Sequence, residues 1–493
     1  MEGPRVRGQV HFALLALFCS AICTASVQET LTLEDCRLES ELAPGSLAAR
    51  CGHLARPENP DDPRSKVLLL HVAVVPALRL EPAEDALFVL SGGPGQAASE
   101  FYLAYSPAFA RIRRDRDIVL VDQRGTGGSN RLDCTLPDEP ELTAVDRGRL
   151  EQLVRECLKQ LPGDPRFYTT SLAVRDLEAA RAALGYERIS LYGISYGTRV
   201  AQHYIRQHPD RVRAAILDGV VPATLALGPR IAIEAQNTLD AAFERCEKNA
   251  SCARSYPRLA ETFRSLMTRV SDAPFRLSIP DPLTGEPTSV TLDRDRLSAA
   301  VRLLSYSDET ASMLPLLIHE AAVLGRPQSL AAQYLMIRRE TGRQIAQGMH
   351  FSVVCSEDAP RWSESDVSES ALGQTYLGPE FMVAMRTICA QWPRGPVDEN
   401  FAEPLRSDVP MLLLSGGNDP VTPAAYAQQI LPGLSRAKHL ILRGQGHGQI
   451  AIGCVPRLAA EFISAASSEA LDTSCIESVK PAAFMLSRVA TAP

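Results

Sequence analysis

The sequence predicts an α/β fold, with a mostly parallel central sheet interrupted by an inserted, mainly helical domain. Short apolar runs alternate with helical segments from about residue 66 to residue 223, and the alternation returns after residue 405. Such alternation favours parallel pairing, because a helix must carry the chain back between two parallel strands. Between residues 224 and 405 the apolar positions recur mainly at helical spacing. The 493 residues are enough for one large domain with a second one inserted.

Short apolar runs predict seven strands, at Val67–Val75, Leu87–Ser91, Asp117–Asp122, Ile189–Tyr192, Ala214–Leu217, Met411–Ser415 and Leu440–Leu442. Helical spacing predicts helices at Thr170–Leu184, Tyr196–His208, Arg230–Asn249, Leu259–Val270 and Val455–Ala465. A proline-rich connection at Ile279–Pro287 is typical of a short hairpin. The predicted domains are a first core part at 26–223, an inserted cap or lid at 224–405 and a C-terminal core part at 406–493.

The N-terminus has the pattern of an export signal over residues 1–25. Two arginines precede the apolar run Phe12–Ile22, and Cys23–Ala25 offers the small residues that a signal peptidase needs. The run is short for a membrane span, although an uncleaved anchor helix and a lipoprotein modified at Cys19 or Cys23 are alternatives. We expect a secreted or periplasmic protein with no stable membrane span after the signal is removed.

Cysteine usage and charge agree with this location. Ten of the twelve cysteines follow the predicted signal, and an even number in an exported chain indicates disulfides. Sequence order suggests five adjacent pairs without fixing their connectivity: 36–51, 134–157, 246–252, 355–389 and 454–475. Metal binding is the weaker explanation, because no C-x-x-C occurs. The net charge of −7 and the lack of a long Lys/Arg run argue against nucleic acid as a partner.

Gly193–Gly197 forms a G-x-S-x-G motif between a predicted strand and a predicted helix. A sharp strand-to-helix turn forces the central serine into a strained backbone conformation, and its neighbours two positions away must be small. The motif also occurs by chance in ordinary turns. Its place between strand and helix predicts that Ser195 is a nucleophile exposed above the sheet.

A serine nucleophile needs a base and an acid behind that base. His447 lies in a glycine loop after a late strand and is the predicted base. Asp419 follows the strand Met411–Ser415, which gives the chain order Ser, Asp, His that is typical of a nucleophile elbow on an α/β sheet. Asp218, at the end of an earlier strand, is the alternative acid. Asp419 could also cap a helix at Val421–Ile430.

Two backbone N–H groups must stabilise the tetrahedral intermediate of acyl transfer. The first is predicted to be that of Tyr196, which follows the nucleophile. The second is expected from the glycine-rich loop Ser91–Gly95, from Gly92 or Gly93. Acyl transfer by this set needs no cofactor and no metal.

Several motifs resemble the prolyl aminopeptidase family of α/β-hydrolases: SGGPG, DQRGTGGS at Asp122–Ser129 and GISYGT at Gly193–Thr198. NDPVTP at Asn418–Pro423, with GQGHG, is similar to the tripeptidyl-aminopeptidase-like branch, which is bacterial and exported. The resemblance runs from about Cys51 to Cys475. It implies a cap over the active site and the removal of residues from free peptide N-termini.

The resemblance also implies that acidic cap residues hold the substrate α-ammonium, and Glu357 and Asp358 are the candidates here. A solvated acidic pair beside a disulfide is the plainer interpretation of these two residues. Ser91 and Tyr196 replace a histidine and a tryptophan of prolyl aminopeptidases, which argues against strict proline specificity.

The resulting hypothesis is an exported serine peptidase that cleaves short peptides from a free N-terminus through an acyl-enzyme. A carboxylic ester hydrolase with the same triad is the alternative. A non-catalytic binding protein on a hydrolase fold is a third reading, and it is disfavoured because all three triad residues are present. The expected partner is a small peptide, and the sequence does not indicate an oligomeric state.

Overall fold

The structure is a computed structural model that describes residues 1–3, 31–39, 45–134, 146–363 and 369–491. Residues 4–25 of the predicted export signal therefore lie outside the described residues. Within the described ranges, no helix is long and apolar enough to cross a membrane.

The strands within the described residues are β1 (Glu34–Glu39), β2 (Ser46–Pro57), β3 (Val67–Val75), β4 (Ala86–Leu90), β5 (Ile118–Val121), β6 (Ile189–Ile194), β7 (Val212–Asp218), β8 (Phe275–Pro280), β9 (Pro287–Leu292), β10 (Met411–Gly416), β11 (Ala437–Leu442), β12 (Met485–Ser487) and β13 (Ala490–Thr491).

The α-helices of the same ranges are α1 (Ala98–Arg113), α2 (Arg147–Gln160), α3 (Thr170–Leu184), α4 (Tyr196–Gln207), α5 (Ile231–Lys248), α6 (Ala250–Ser255), α7 (Leu259–Asp272), α8 (Arg294–Leu304), α9 (Asp308–Ala311), α10 (Leu314–Ala322), α11 (Gln328–Gln344), α12 (Gln347–Val353), α13 (Glu369–Leu372), α14 (Glu380–Gln391), α15 (Ala424–Ile430) and α16 (Val455–Ala465). A π-helical turn, Val354–Asp358, continues α12.

Nine strands form one sheet in the order β1-β2-β3-β5-β4-β6-β7-β10-β11. The six strands from β5 to β11 pair in parallel, whereas β1, β2 and β3 pair antiparallel at one side. Every residue of β4, β5 and β10 is buried, as expected for parallel strands covered on both faces. The predicted α/β fold with a mostly parallel sheet is confirmed, and all seven predicted strands are present.

Helices cover both faces of the sheet. Apolar residues of α3, α4 and α15 pack on one face, and those of α1 and α16 pack on the other. The inserted segment builds a separate apolar core from α5, α7, α8, α10 and α11, next to the antiparallel hairpin β8–β9. Phe484, just before β12, packs into this second core, so the end of the chain reaches the inserted domain.

Five disulfides join the ten described cysteines, and they follow the sequence-adjacent order: Cys36–Cys51, Cys134–Cys157, Cys246–Cys252, Cys355–Cys389 and Cys454–Cys475. The first links the edge strand β1 to β2. The fourth ties the π-helical turn to α14, and the turn carries Glu357 and Asp358.

A buried ion pair anchors the loop that follows β5. Arg124 donates to both carboxylate oxygens of Asp176 at 2.6 and 2.8 Å, and its third nitrogen donates to the carbonyls of Glu58 and Phe167. Both charged side chains are almost fully buried, with 2% and 3% exposed. Removing one partner of such a pair leaves an uncompensated buried charge.

We expect Arg124→Met to lower the free energy of unfolding by about 3 kcal/mol, because Asp176 would lose its bidentate partner and keep its buried charge with only Arg56, at 3.2 Å, beside it. Urea unfolding measures this loss. Arg166→Met is the matched control, because Arg166 is 54% exposed and pairs with Asp164 at the surface. Such pairs contribute at most about 1 kcal/mol. Equal losses in the two variants would contradict the prediction.

Candidate active site

Ser195 lies on the sharp turn between β6 and α4, at the carboxyl edge of the parallel sheet. Its φ of 55° and ψ of −123° are strained for a residue with a side chain. A Cβ atom on Gly193 would lie 2.5 Å from the Gly197 oxygen, and one on Gly197 would lie 2.2 Å from the Leu90 oxygen. The turn can therefore form only with glycine at both positions, as the G-x-S-x-G pattern predicts.

The predicted base and acid meet at the same edge of the sheet. Asp419 follows β10 and His447 follows β11, and these neighbouring strands are parallel, so their carboxyl ends lie side by side. The Nδ1 atom of His447 lies 2.8 Å from Oδ2 of Asp419. This contact favours the tautomer that leaves Nε2 free to accept a proton.

Several donors support the Asp419 carboxylate. The backbone N–H groups of Val421 and Thr422 donate to Oδ1, each at 2.8 Å, and the Thr422 hydroxyl donates to Oδ2 at 2.8 Å. Burial would raise the pKa of Asp419, but the charge of His447 and these hydrogen bonds outweigh it and hold the pKa below its ordinary value. The turn resembles a helix cap, yet α15 begins only at Ala424 and not at the predicted Val421, because the intervening residues form the turn around the carboxylate.

The electrostatics of His447 follow from the same pair. Burial alone would lower the pKa of His447, but the charge and hydrogen bond of Asp419 outweigh it and raise the pKa above its ordinary value. The imidazolium that forms when His447 takes a proton is thereby stabilised.

Asp218, the alternative acid, has other partners. It accepts hydrogen bonds from the backbone N–H groups of Gln449 and Ile450 at 2.8 and 2.9 Å and from the Tyr192 hydroxyl at 2.9 Å. Burial raises its pKa to about 6 against these hydrogen bonds. Asp218 therefore fixes the chain just after His447, while Asp419 contacts the imidazole itself.

The glycine loop contacts the nucleophile. A Cβ atom on Gly92 would lie 3.2 Å from the Cβ of Ser195, so any larger residue would crowd the nucleophile. Gly93 is next along the loop and has a φ of +108°, which favours glycine. The backbone N–H of Tyr196 is at the first turn of α4. The Tyr196 ring is buried and its hydroxyl lies 2.6 Å from the Thr170 hydroxyl.

Glu357 connects to this network through Thr170. It accepts hydrogen bonds from the Thr170 backbone N–H at 2.6 Å and from the Thr170 hydroxyl at 2.9 Å, and the same hydroxyl contacts Tyr196. The nearest cation, Arg199, is 3.9 Å away. Burial raises the pKa of Glu357 to about 7, although the Arg199 charge opposes the shift.

Asp358 is more fully paired. Its carboxylate accepts from Arg199 at 3.0 and 3.1 Å, from the Leu227 backbone N–H at 2.8 Å and from Arg361 at 3.2 Å. The side chains of Glu357 and Asp358 are both fully buried. The structure thus places these two predicted substrate-binding residues inside a charge network and not in solvent.

Two family models match this chain. The model described as "alpha/beta hydrolase fold" matches residues 85–303, and the model described as "TAP-like protein" matches residues 375–475. Serine protease Hip1 of Mycobacterium tuberculosis is 26% identical over 416 residues, covering 76% of this chain and 77% of that protein. The chain is a hydrolase of peptidase type with the α/β-hydrolase fold.

Two further relatives of the peptidase cover shorter parts of it. A tripeptidyl aminopeptidase of Streptomyces coelicolor is 30% identical over 206 residues, which is 38% of this chain and 37% of that protein. A probable proline iminopeptidase of the same organism is 33% identical over 139 residues, covering 28% and 33% of the two chains. The chain is thus similar to serine protease and aminopeptidase-type hydrolases.

Two residues of the peptidase's site were not anticipated from the sequence. Thr422 lies 3.1 Å from Nδ1 of His447 while it donates to Asp419, so it contacts both members of the pair. Its only sequence signal is its position three residues after Asp419. Tyr306, just after α8 of the inserted domain, accepts a hydrogen bond from the His447 backbone N–H at 2.6 Å.

The Tyr306 ring also packs edge-on against the His447 ring, with centroids 5.5 Å apart. A Cβ atom on Gly446 would lie 2.1 Å from the Tyr306 carbonyl oxygen, which explains the glycine before the histidine. The inserted domain of the peptidase therefore holds the loop that carries His447.

Proposed function

We propose that this peptidase is an exported serine aminopeptidase that cleaves short peptides from a free N-terminus through an acyl-enzyme. The strained turn at Ser195 and the His447–Asp419 pair, which follow parallel strands at the same carboxyl edge of the sheet, carry the proposal. The match to the TAP-like model and the similarity to aminopeptidases support the choice of peptides over other acyl substrates. Five disulfides support export, because disulfides persist in oxidising compartments.

In the proposed mechanism, Ser195 Oγ attacks the scissile carbonyl while His447 Nε2 takes the hydroxyl proton. Asp419 holds the imidazole and stabilises its positive form. The backbone N–H groups of Tyr196 and Gly92 stabilise the oxyanion. His447 then gives the proton to the leaving amine, and a water activated by the same histidine hydrolyses the ester to Ser195.

The inserted domain at residues 224–405 is the proposed cap of this site. Its contact with the His447 loop through Tyr306 supports that role. Within the cap, Glu357 is a better candidate than Asp358 for the substrate α-ammonium. Asp358 already accepts from two arginines, whereas among the described residues the Glu357 carboxylate accepts hydrogen bonds from Thr170 alone and has its nearest cation 3.9 Å away. A buried ammonium needs such a carboxylate.

The test is an assay of the purified, oxidised protein on three sets of compounds: peptide amides with a free N-terminus, the same peptides with an acetylated N-terminus, and short acyl esters. We expect turnover of the free peptides and a large loss on acetylation, because an acetylated amine carries no charge for a buried carboxylate to bind. Turnover of esters alone would overturn the peptidase assignment and favour the ester hydrolase. Equal turnover of free and acetylated peptides would contradict recognition of the N-terminus.

A further inference from the structure

Arg302, in the last turn of α8, is a half-buried cation with an unused hydrogen-bond donor. Its Nη2 donates to the Tyr306 hydroxyl at 2.9 Å, and the guanidinium lies 5.5 Å from the centroid of that ring. Its Nε is buried and has no hydrogen-bond partner. Among the described residues, no carboxylate lies within ion-pair distance of Arg302.

Several other buried or half-buried arginines have carboxylate partners. Arg124 pairs with Asp176 and Arg199 with Asp358. Arg296, six residues before Arg302 on α8, pairs with Asp293. A buried N–H without a partner costs free energy, and a carboxylate is the acceptor that matches a guanidinium best. Arg302 is therefore suited to an anionic group that comes from outside the chain.

The position of Arg302 points to the catalytic centre. Tyr306, which it contacts, packs against the ring and backbone of His447. Arg302 is also near His350. The Nδ1 atom of His350 lies 3.2 Å from the carbonyl oxygen of Pro94 in the glycine loop. Burial lowers the pKa of His350, and the Arg302 charge lowers it further, so Arg302 acts on groups at both sides of the nucleophile.

The histidine side of a serine peptidase site is the leaving-group side, because the histidine hands its proton to the leaving amine. Groups that pack against His447 therefore line the path of the departing segment. Glu357 lies on the other side, connected through Thr170 to Tyr196 and the proposed oxyanion site. The site thus has a carboxylate toward the acyl side and, toward the leaving side, a guanidinium that has no carboxylate partner among the described residues.

We infer that Arg302 binds a carboxylate of the leaving segment, the C-terminal carboxylate of a short peptide, and that the enzyme prefers short peptides with both termini free. This inference rests on the proposed aminopeptidase function. The bound carboxylate contacts the part of the guanidinium that is not buried and gives the half-buried charge an anionic partner. A long protein chain carries its C-terminus far from the scissile bond and gains nothing from Arg302.

The test compares one short peptide with a neutral sequence as its free acid and as its C-terminal amide. We expect a kcat/KM ratio of acid to amide of roughly ten to a hundred in the wild type, the size of a charge-assisted hydrogen-bonded contact. Arg302→Gln should bring this ratio near one, and Arg302→Lys should restore part of it. Arg296→Gln is the matched control on the same helix and should keep the wild-type ratio.

A second arm replaces glutamine by glutamate in the leaving segment of the amide. If glutamate is favoured and Arg302→Gln removes the preference, the carboxylate comes from a side chain and not from the C-terminus. Equal cleavage of acid and amide by the wild type overturns the inference while the aminopeptidase function stands. A preference that survives in Arg302→Gln overturns it as well. If no form of the peptide is cleaved, the proposed function fails and the inference fails with it.

Discussion

Replacing Ser195 by alanine is expected to lower kcat on the best peptide substrate by about 10⁶-fold, the loss typical of removing a serine nucleophile. Without Oγ no acyl-enzyme can form, and the remaining site can only orient water near the carbonyl. The circular dichroism spectrum and the thermal unfolding curve should be close to those of the wild type. Alanine keeps the Cβ atom, and the turn is held by backbone contacts and not by the Ser195 hydroxyl. A fluorophosphonate should add its mass to the wild type and not to the variant.

Ser99 provides a stringent control for this experiment. Its hydroxyl donates to Oδ2 of Asp122 at 3.0 Å, and His71 lies 3.2 Å from the same oxygen. This second cluster contains a serine, a histidine and an aspartate, as a catalytic triad does. Its serine bonds to the aspartate and not to the histidine, so the histidine cannot take the serine proton. Ser99→Ala should therefore keep both turnover and labelling. Retained labelling in Ser195→Ala, or its loss in Ser99→Ala, would contradict the assignment of Ser195 as nucleophile.

The parts of the fold that the sequence predicts are those with strong local signals. Strands such as Ala86–Leu90 and Ile118–Val121 are apolar throughout because both faces of the sheet are covered. The edge strand Glu34–Glu39 has mostly charged residues and buries only Leu38, so it carries no such signal. Its pairing depends on β2 and on the disulfide Cys36–Cys51.

In the active site, too, residues with a local sequence signal can be predicted and residues that depend on distant contacts cannot. Ser195, Asp419 and His447 each follow a strand and lie among glycines, and these local features predict their positions. Arg302 lies in the last turn of α8 and Tyr306 in the turn just after it, and they come close to His447 because the inserted domain folds over the His447 loop. The pairing of Asp358 with Arg199 could not be predicted from local sequence either, because it joins the π-helical turn of the inserted domain to α4, the helix after the nucleophile.

A comparison of Asp419→Asn with Asp218→Asn decides which carboxylate supports the base. We expect Asp419→Asn to lower kcat by about 10⁴-fold, because the amide favours the wrong tautomer of His447 and no longer stabilises its positive form. Asp218 bonds to the backbone of Gln449 and Ile450, so its loss should loosen the His447 loop and cost only about ten- to a hundred-fold, the scale of misplaced catalytic geometry. Kinetics on the same peptide measure both effects.

The pH dependence separates the two roles further. His447 must be neutral to accept a proton, so kcat/KM falls as the pH drops through its pKa. Burial lowers this pKa, and the Asp419 carboxylate raises it by more. The Asp218 charge raises it by a smaller amount. Asp419→Asn should therefore move the acidic limb of the residual activity clearly to lower pH, and Asp218→Asn should move it less. A larger loss and a larger pH shift in Asp218→Asn would instead assign the acid to Asp218, because only the charge that stabilises the imidazolium can control both quantities together.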